Sequence, residues 1–558
     1  MNPAIPTIEW ATLWPIIIVT CTGIIALLIE MFRPKQNNNA IVLVSLAGLG
    51  LAAYSVLPQF NLVAGSTFSG MITRDVMGLV MQLLLIGICF VAFLFSEGYL
   101  REKRIAFGEF YPLALWSTVG GMIMVSTTNM LMQFIGLEVL SIALYCLAGM
   151  SRQESRSEES AIKYFLLGAF ASSFLLYGIA FVYGASGSLD FSGITIALES
   201  GDDNLSNMAL LGIGLMLVGF GFKTALVPFH QWTPDVYQGA PTNVTGFMAA
   251  ASKVAAFGAL IRLLTAAVPM QEYWFPVLFW VAILTMTVGN LVALTQKDVK
   301  RALGYSSIAN AGYILVALLA HYKSPDSVSL NTTIFYLVSY SVMTLGAFAV
   351  ITLTAEKGKE GTRFQDLNGL WKKSPYAAGA LVIFCASLVG VPPTAGFFGK
   401  WFIFADALKA DLLPLAIVLA VNSAVSAYYY LGIVRSAFVD DEPAVRAPQG
   451  QTNFGLSLAC TTCVVAILYL TVNASGAMRF VGGEGTEVAK PPAPPAELAG
   501  AAGQGGGEPP IPNSRAGQPE SSDEVPAEDG PVDTRPIEVV PTPGEAAPPL
   551  DEPVATPR

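Results

Sequence analysis

Four ionisable side chains lie deep within long apolar stretches of this sequence. Glu138 occurs in MQFIGLEVLSIALY, and three lysines, Lys223, Lys253 and Lys400, occupy other apolar stretches. A charge near the middle of a bilayer costs at least about 2.5–3.5 kcal/mol on insertion scales, so these groups are expected to face each other, protein or water. Because carboxylates and desolvated lysines can exchange protons, the chemistry that this set favours is a proton or ion relay.

Other charged or titratable residues of the apolar stretches are ambiguous. Lys163 lies only six residues into its stretch, so its ammonium either reaches water by snorkelling or joins the relay. Arg262 lies close to the end of its stretch, and we interpret it as a structural residue that snorkels. His230 follows Pro228 in PFHQW and is either a protonation switch or a polar plug for a broken helix. His321 lies at a helix end and is interpreted as interfacial.

The sequence contains no pattern typical of a metal or redox site. Cys460 and Cys463 form a Cys-x-x-Cys, but no second pair and no histidine lies near them, which favours small apolar helix residues. No cysteine set is suited to an iron–sulfur cluster, and no glycine-rich dinucleotide loop follows a strand. We therefore expect neither a metal nor a cofactor in this chain.

Composition and hydrophobic patterning predict an all-α polytopic membrane protein. The mean hydropathy is +0.57, and 53% of the 558 residues are hydrophobic while 13% are charged, against about 25% charged residues in soluble domains. A helix needs roughly 20 apolar residues to cross a bilayer. About fourteen segments meet this need: 12–32, 40–57, 72–95, 108–127, 129–149, 158–184, 208–229, 243–268, 273–295, 301–321, 330–355, 376–408, 411–438 and 453–473.

Charge distribution predicts the orientation and separates a tail from the membrane body. Alternate loops carry 17 of the Lys and Arg residues, which places those loops inside and both termini outside. Residues 484–558 contain 14 acidic and 4 basic residues, a balance of −10 that equals the net charge of the whole chain. This segment also holds 17 prolines, and its composition predicts a disordered tail.

Two apolar segments contain helix breakers near a lysine. Pro228 follows Lys223 by five residues, and Pro392–Pro393 precedes Lys400 by seven. Proline interrupts a helix, and within a membrane such a break is tolerated where it is buried in protein or lines a wet cavity. Two broken helices of opposite direction favour inverted repeats. The predicted organisation is three N-terminal helices (1–107), a first five-helix repeat (108–268), a second (273–438), a last helix (453–473) and the tail (484–558).

Three motifs resemble the antiporter-like family, which contains the large membrane-arm subunits of respiratory complex I and related cation/proton antiporter subunits. The motifs are FHQWTPDVYQGAPT, QKDVKRALGYSSIANAGY and GVPPTAGFFGKW, in matching order, and the resemblance covers residues 10 to 475 approximately. It implies fourteen helices, two inverted repeats and a lateral proton path. Relay roles are implied for Glu138, Lys163, Lys223, Lys253 and Lys400, with Lys223 paired to Glu138. Asn310 departs from the pattern, because relatives often carry histidine there.

The resemblance also implies the function and its setting. We expect a proton-translocating subunit of NADH–quinone oxidoreductase in a bacterial inner membrane, with other complex I subunits as partners and no nucleic acid. NADH, FMN, iron–sulfur clusters and quinone would then be bound by partner subunits. Two alternatives stay open: a sodium/proton antiporter subunit of the same family, and a non-pumping structural spacer of the membrane arm, against which the costly buried charges argue.

Overall fold

The computed structural model describes residues 8–32, 38–103, 105, 108–199, 203–356, 359–439 and 454–482. Within these residues the backbone is almost entirely helical, with two short β-hairpins. The prediction of an all-α polytopic membrane fold is therefore confirmed. The tail predicted over 484–558 lies outside the described residues.

The N-terminal part combines long helices with one hairpin. Its elements are α1 (Trp10–Phe32), α2 (Asn39–Val56), β1 (Gly65–Thr67), β2 (Ile72–Arg74), α3 (Val76–Glu102), α4 (Phe110–Ser126) and α5 (Met130–Ala148), with a 3₁₀ turn over Leu57–Asn61. Polar caps start two of these helices: the Asp75 carboxylate accepts from the Gly78 N–H at 2.7 Å, and the Asn129 side chain accepts from the Leu131 N–H at 3.0 Å. Such caps satisfy backbone donors that the first helical turn leaves free.

The next part of the chain holds the first interrupted helix and a central helix. Its elements are α6 (Ser155–Ser186), α7 (Phe191–Glu199), α8 (Asp203–Thr224), α9 (Trp232–Gly239) and α10 (Thr242–Ala266), followed by a 3₁₀ turn over Val268–Met270. All but one of the residues of α10 are buried. An apolar helix buried on every side is typical of the centre of a helical bundle.

The third part contains the second interrupted helix. Its elements are α11 (Gln271–Ala293), α12 (Val299–Lys323), α13 (Asn331–Ile351), β3 (Ala355–Glu356), β4 (Lys359–Glu360), α14 (Leu370–Lys373), α15 (Pro375–Val389), α16 (Ala395–Lys409), α17 (Leu413–Phe438), α18 (Phe454–Val472) and α19 (Ala474–Gly482), with 3₁₀ turns over Thr352–Thr354 and Phe364–Leu367. Both hairpins are antiparallel, with Gly65 opposite Arg74 and Ala355 opposite Glu360.

Each of the fourteen predicted segments overlaps a helix, but the helices differ in length. Within the described residues, 12 helices are long and apolar enough to cross a membrane, and Phe110–Ser126 and Pro375–Val389 are shorter apolar helices. The segment predicted over 208–229 ends as a helix at Thr224, and the segment predicted over 376–408 consists of α15 and α16. Both differences come from prolines, which disfavour helical backbone at the preceding residue. The number of crossings, the inverted repeats and the side of the termini stay predictions.

Candidate functional site

The first helix break follows α8. Ala225 adopts the left-handed conformation with φ of 62°, and the Leu226 N–H donates to the Gly221 carbonyl at 2.8 Å while the Ala225 N–H donates to the Phe222 carbonyl at 3.1 Å. This pattern is a common way to close a helix C-terminus. The chain then runs through a cis Val227–Pro228 bond before α9 begins.

The second break, after α15, closes in the same way. Gly390 has φ of 89°, and the Val391 N–H donates to the Ala386 carbonyl at 3.0 Å. A cis Pro392–Pro393 bond follows, and the Thr394 hydroxyl caps α16 by accepting from the Phe397 N–H at 3.3 Å. Helix termini leave carbonyls without intrahelical partners, so each break exposes acceptors to the interior of the bundle.

Lys253 supplies a donor to the first break from a neighbouring helix. It lies in α10 with 2% of its surface exposed, and its ammonium donates to the Thr224 carbonyl at 2.9 Å. The carbonyl end of a helix carries partial negative charge, which stabilises a nearby cation. The positive charge of Lys253 is therefore held by backbone dipoles.

Lys400 of α16 supplies donors to the free carbonyls at the second break. Its ammonium donates to the carbonyls of Leu388 and Val389, both at 2.9 Å, and to the Ser423 hydroxyl at 3.1 Å. The ring of Tyr313 lies 5.0 Å from the same nitrogen, within the range of a cation–π contact. All three N–H donors of the buried ammonium are thus used by neutral groups.

Lys223 lies in the last turn of α8, just before the first break. It is buried, and its ammonium donates to the Ser141 hydroxyl at 2.8 Å and the Tyr164 hydroxyl at 3.2 Å. The rings of Tyr145 and Tyr164 lie 5.9 Å and 5.3 Å from the nitrogen. The site of Lys223 therefore joins α5, α6 and α8.

The structure does not form the predicted direct pair between Glu138 and Lys223. Among the described residues no ion pair joins them, and the buried Oε1 atom of Glu138 has no hydrogen-bond partner. The lysine instead binds Ser141, which follows Glu138 by about one helical turn.

Lys163 belongs to a different cluster from Lys223. Its ammonium lies 2.8 Å from Asp235 Oδ2 and 2.6 Å from Glu159 Oε1, and 41% of its side chain is exposed. The other oxygen of Asp235 binds Arg301. Lys163, Glu159 and Asp235 border a polar cavity of about 150 Å³. Sequence reasoning missed Asp235, although it follows the first break directly in the TPDVY motif.

The two histidines and Arg262 occupy distinct settings. His230 lies half-buried between α8 and α9, and its Nδ1 atom has no hydrogen-bond partner among the described residues. The expectation that Arg262 snorkels is wrong: its side chain is fully buried and binds the Asp75 carboxylate at 2.8 Å and the Val125 carbonyl. The Asp75 carboxylate, at the N-cap of α3, compensates the charge of Arg262, so the guanidinium does not need to reach water. The half-buried His321 pairs with the Val328 carbonyl at 2.7 Å.

A second group of buried charges lies where α3, α10 and α12 meet the β3–β4 hairpin. The Glu360 carboxylate lies 2.6 Å from the Lys103 ammonium and 3.3 Å from that of Lys300, and it accepts from the Thr242 N–H at 3.1 Å. Burial alone would raise the pKa of Glu360, but the two lysines outweigh it and lower that pKa. Burial likewise opposes the charge on Lys103, while Glu360 raises the pKa of Lys103 above its ordinary value.

This cluster, which we call the basic-side cluster (Lys103, Glu154, Lys300 and Glu360), was missed by sequence reasoning. The sequence shows its lysines as ordinary members of the basic loops. Glu360 lies 257 residues from Lys103 along the chain, so no local pattern signals the pairing.

A layer of polar side chains lies between the two breaks. Asn310, the departure from the family pattern, is buried, accepts from the Tyr336 hydroxyl at 2.6 Å and donates to the Ser306 carbonyl at 2.8 Å. Tyr237 of α9 lies 3.3 Å from the Ser307 hydroxyl in the same layer. The amide forms hydrogen bonds at this position and does not titrate. Asn310 is therefore suited to a structural role in the layer.

One feature unites Lys223, Lys253 and Lys400. Each is buried, and within the described part of the chain each binds neutral groups rather than a carboxylate. A carboxylate partner would hold the proton on a lysine, whereas hydroxyls and carbonyls favour the charged form less strongly. The arrangement can therefore accept and release protons. Within the described residues no cluster of three or more His, Cys, Asp or Glu side chains suited to a metal is present.

Comparison with known proteins gives consistent results. The family described as NADH:quinone oxidoreductase/Mrp antiporter, transmembrane, matches residues 127–426. The NADH-quinone oxidoreductase subunit N of Trichlorobacter lovleyi is 41% identical over 429 residues, which cover 77% of this chain and 87% of that protein.

Two solved structures are also similar. A chain of respiratory complex I from Thermus thermophilus matches with a TM-score of 0.71 and 35% identity, covering 83% of this chain and 98% of that one. A chain of the Mrp complex from Dietzia sp. matches with a TM-score of 0.73 and 20% identity, covering 85% and 96%, and shows a shared fold. The chain belongs to the NADH:quinone oxidoreductase/Mrp antiporter membrane family, among the relatives named NADH-quinone oxidoreductase subunit N.

Proposed function

We propose that this chain is a proton-translocating subunit of NADH–quinone oxidoreductase and that protons pass through Glu138, Lys223, Lys253 and Lys400. The observation that carries the proposal is the set of buried lysines bound by neutral groups. Keeping charges inside a membrane protein is costly, and two of these lysines lie on the open carbonyls of broken helices. A protein that conducts protons through its interior needs buried side chains that can gain and lose a proton.

The proposed order of transfer is the one that the family resemblance implies. A proton is taken up from the side of the basic loops near Glu138 and Lys223, moves to Lys253 at the first break and then to Lys400 at the second, and leaves on the opposite side. Glu138 acts on Lys223 through its charge: approach of the carboxylate favours the ammonium, and its withdrawal favours release of the proton. Lys163, held by Asp235 and Glu159, modulates this step by its fixed charge, and His230 is a candidate proton carrier at the first break.

The energy for transfer comes from quinone reduction in partner subunits, which bind NADH, FMN, iron–sulfur clusters and quinone. The position of Glu138 supports a neighbouring subunit, because it lies half-buried on α5 between Ile135 and Ile142, which are 42% and 56% exposed. A carboxylate on a face open to lipid would be costly, so a protein neighbour is expected there. The setting is a bacterial inner membrane with both termini outside.

Substitutions at Lys400 test the relay. Arginine retains a positive charge but stays protonated in proteins, so Lys400→Arg is expected to lose proton pumping nearly as completely as Lys400→Ala. NADH oxidation and proton uptake are measured in vesicles that contain the assembled oxidoreductase, with and without sodium. A fully active Lys400→Arg enzyme would show that the residue supplies fixed charge. Sodium-dependent transport would favour an antiporter, and normal pumping by both variants would favour a structural spacer.

Glu138 offers a second test. Glu138→Gln removes the titratable group while Glu138→Asp retains it, so we expect the glutamine variant to lose much more pumping than the aspartate variant. Equal activity of the two variants would show that the side chain serves only as polar packing.

A further inference from the structure

Asn290 is a polar side chain with no exposure in the otherwise apolar helix α11. Its amide nitrogen lies 2.9 Å from the Met286 carbonyl of its own helix, 3.0 Å from the Tyr313 hydroxyl and 3.3 Å from Asn422 Oδ1, so its two N–H groups are shared among three acceptors. Its own oxygen accepts from the Tyr429 hydroxyl at 3.0 Å. A buried amide is costly unless such partners are present. Because the bonds reach α12 and α17, one side chain fixes three helices relative to each other.

Asn290 holds a side chain that contacts the Lys400 ammonium. The ring of Tyr313 lies 5.0 Å from that nitrogen, and the Tyr313 hydroxyl accepts from Asn290. The Ser423 hydroxyl also accepts from the ammonium, but it is anchored by its own bond, at 3.2 Å, to a carbonyl that ends α15. The other two acceptors are the carbonyls of that helix end. The Tyr313 ring is therefore the neighbour of Lys400 whose position depends on Asn290.

We propose that Asn290 and Tyr313 are positioning residues for Lys400. When Lys400 carries a proton, the Tyr313 ring face and the Ser423 hydroxyl stabilise the ammonium. When the proton has left, Asn290 keeps the Tyr313 ring in place, so the lysine can be protonated again without rearrangement of α12. This inference rests on the proposed relay through Lys400.

The most conservative test removes the Tyr313 hydroxyl, which accepts a hydrogen bond from Asn290. Tyr313→Phe retains the ring but loses the bond to Asn290, so we expect about a threefold to tenfold drop in the rate of proton pumping, the size of one net hydrogen bond. Tyr322→Phe is the matched control. Tyr322 is also buried and lies in the same helix, but its hydroxyl bonds the Ile261 carbonyl at 2.8 Å. Equal losses in the two variants would overturn the proposal.

A double-mutant cycle separates positioning from general stability. Asn290→Leu is expected to reduce the rate of pumping in the native background and to leave the residual rate of assembled Lys400→Ala enzyme unchanged, because the effects of residues that act through one another are not additive. Additive losses would contradict the proposal. If Asn290→Leu fails to assemble, the Tyr313→Phe comparison decides.

The same set of variants distinguishes this inference from the relay itself. Normal pumping by Lys400→Ala would remove the relay at this position and the positioning role with it. Loss of pumping in Lys400→Ala together with a Tyr313→Phe variant that behaves as Tyr322→Phe would leave the relay in place and overturn the positioning role alone.

Discussion

Buried lysines bind two different kinds of partner in two regions of this protein. At the helix breaks, Lys253 and Lys400 bind backbone carbonyls and a hydroxyl. In the basic-side cluster, Lys103 and Lys300 bind the Glu360 carboxylate at 2.6 Å and 3.3 Å, and Lys300 also donates to the Ala240 carbonyl at 2.6 Å. All four side chains are nearly or fully buried, so burial alone does not separate the two regions.

The chemistry of the partner separates them. A carboxylate beside a buried lysine compensates its charge and holds its proton, and the raised pKa of Lys103 beside Glu360 expresses this. Carbonyl and hydroxyl ligands hold the proton less strongly, which is the basis of the relay that we propose through Lys253 and Lys400.

Glu360→Gln should give the largest loss of stability. The substitution leaves two buried lysines without their shared counter-charge, and breaking a buried pair costs about 3–5 kcal/mol. Thermal unfolding of the purified complex measures the effect. Because the pKa of Glu360 is lowered, its stabilisation is present at neutral pH and is lost only when acid protonates it below the ordinary range of a glutamate.

Glu154→Gln is the control for that prediction. Glu154 also pairs with Lys103, at 3.1 Å, but 29% of its side chain is exposed, so its removal should cost about 1 kcal/mol or less. Equal losses for the two variants would show that the position of Glu360 between two lysines is not what stabilises the cluster.

Substitution of one lysine from each region should produce opposite defects. Lys253→Met is expected to assemble but to lose at least about a hundredfold in the rate of proton pumping, the lower end of the range for one proton-transfer group. Lys300→Met should lower the thermal midpoint, because Glu360 loses one of its partners, while the assembled fraction pumps normally. Both variants are compared for assembly and for protons pumped per NADH. A pumping defect of similar size in both variants would show that the lysines of the two regions do not differ in function.

Gly390→Ala should perturb Lys400 from the backbone side. Gly390 has φ of 89°, and an added Cβ would lie 3.2 Å from the Lys400 Cδ atom. Left-handed backbone costs about 1–2 kcal/mol for residues other than glycine, so a loss of about that size and partial loss of pumping are expected. Ala225→Gly is the control, since Ala225 already has φ of 62° and glycine relieves that conformation.

Asp235→Asn should have the smallest effect on stability. Its partners Lys163 and Arg301 have 41% and 30% of their side chains exposed, so water replaces the lost charge and the cost should stay near or below about 1 kcal/mol. Thermal unfolding alongside Glu360→Gln measures the difference. A loss as large as that of Glu360→Gln would mean that exposure does not weaken this pair.

Sequence reasoning predicted the class of fold and the main residues of the candidate site from local features. Apolar segments, prolines and charged residues within apolar segments can each be recognised within about 20 residues of sequence, because the bilayer sets the length of a segment and the cost of a charge. The same features identified both breaks and the lysines beside them. They could not give the bonds of Lys223, which binds Ser141 and Tyr164 from two other helices.

The amino-acid sequence by itself therefore determined that the chain is a bundle of apolar helices. It also determined the positions at which two of those helices break and the charged residues that lie within the bundle. Only the tertiary structure decided what each charge binds. Lys253 meets a backbone carbonyl 29 residues away, and Lys300 meets Glu360 across 60 residues. The reason is physical: every residue carries the same carbonyl, so no side-chain pattern marks it as a lysine ligand, and a carboxylate becomes a partner only when the chain brings it close.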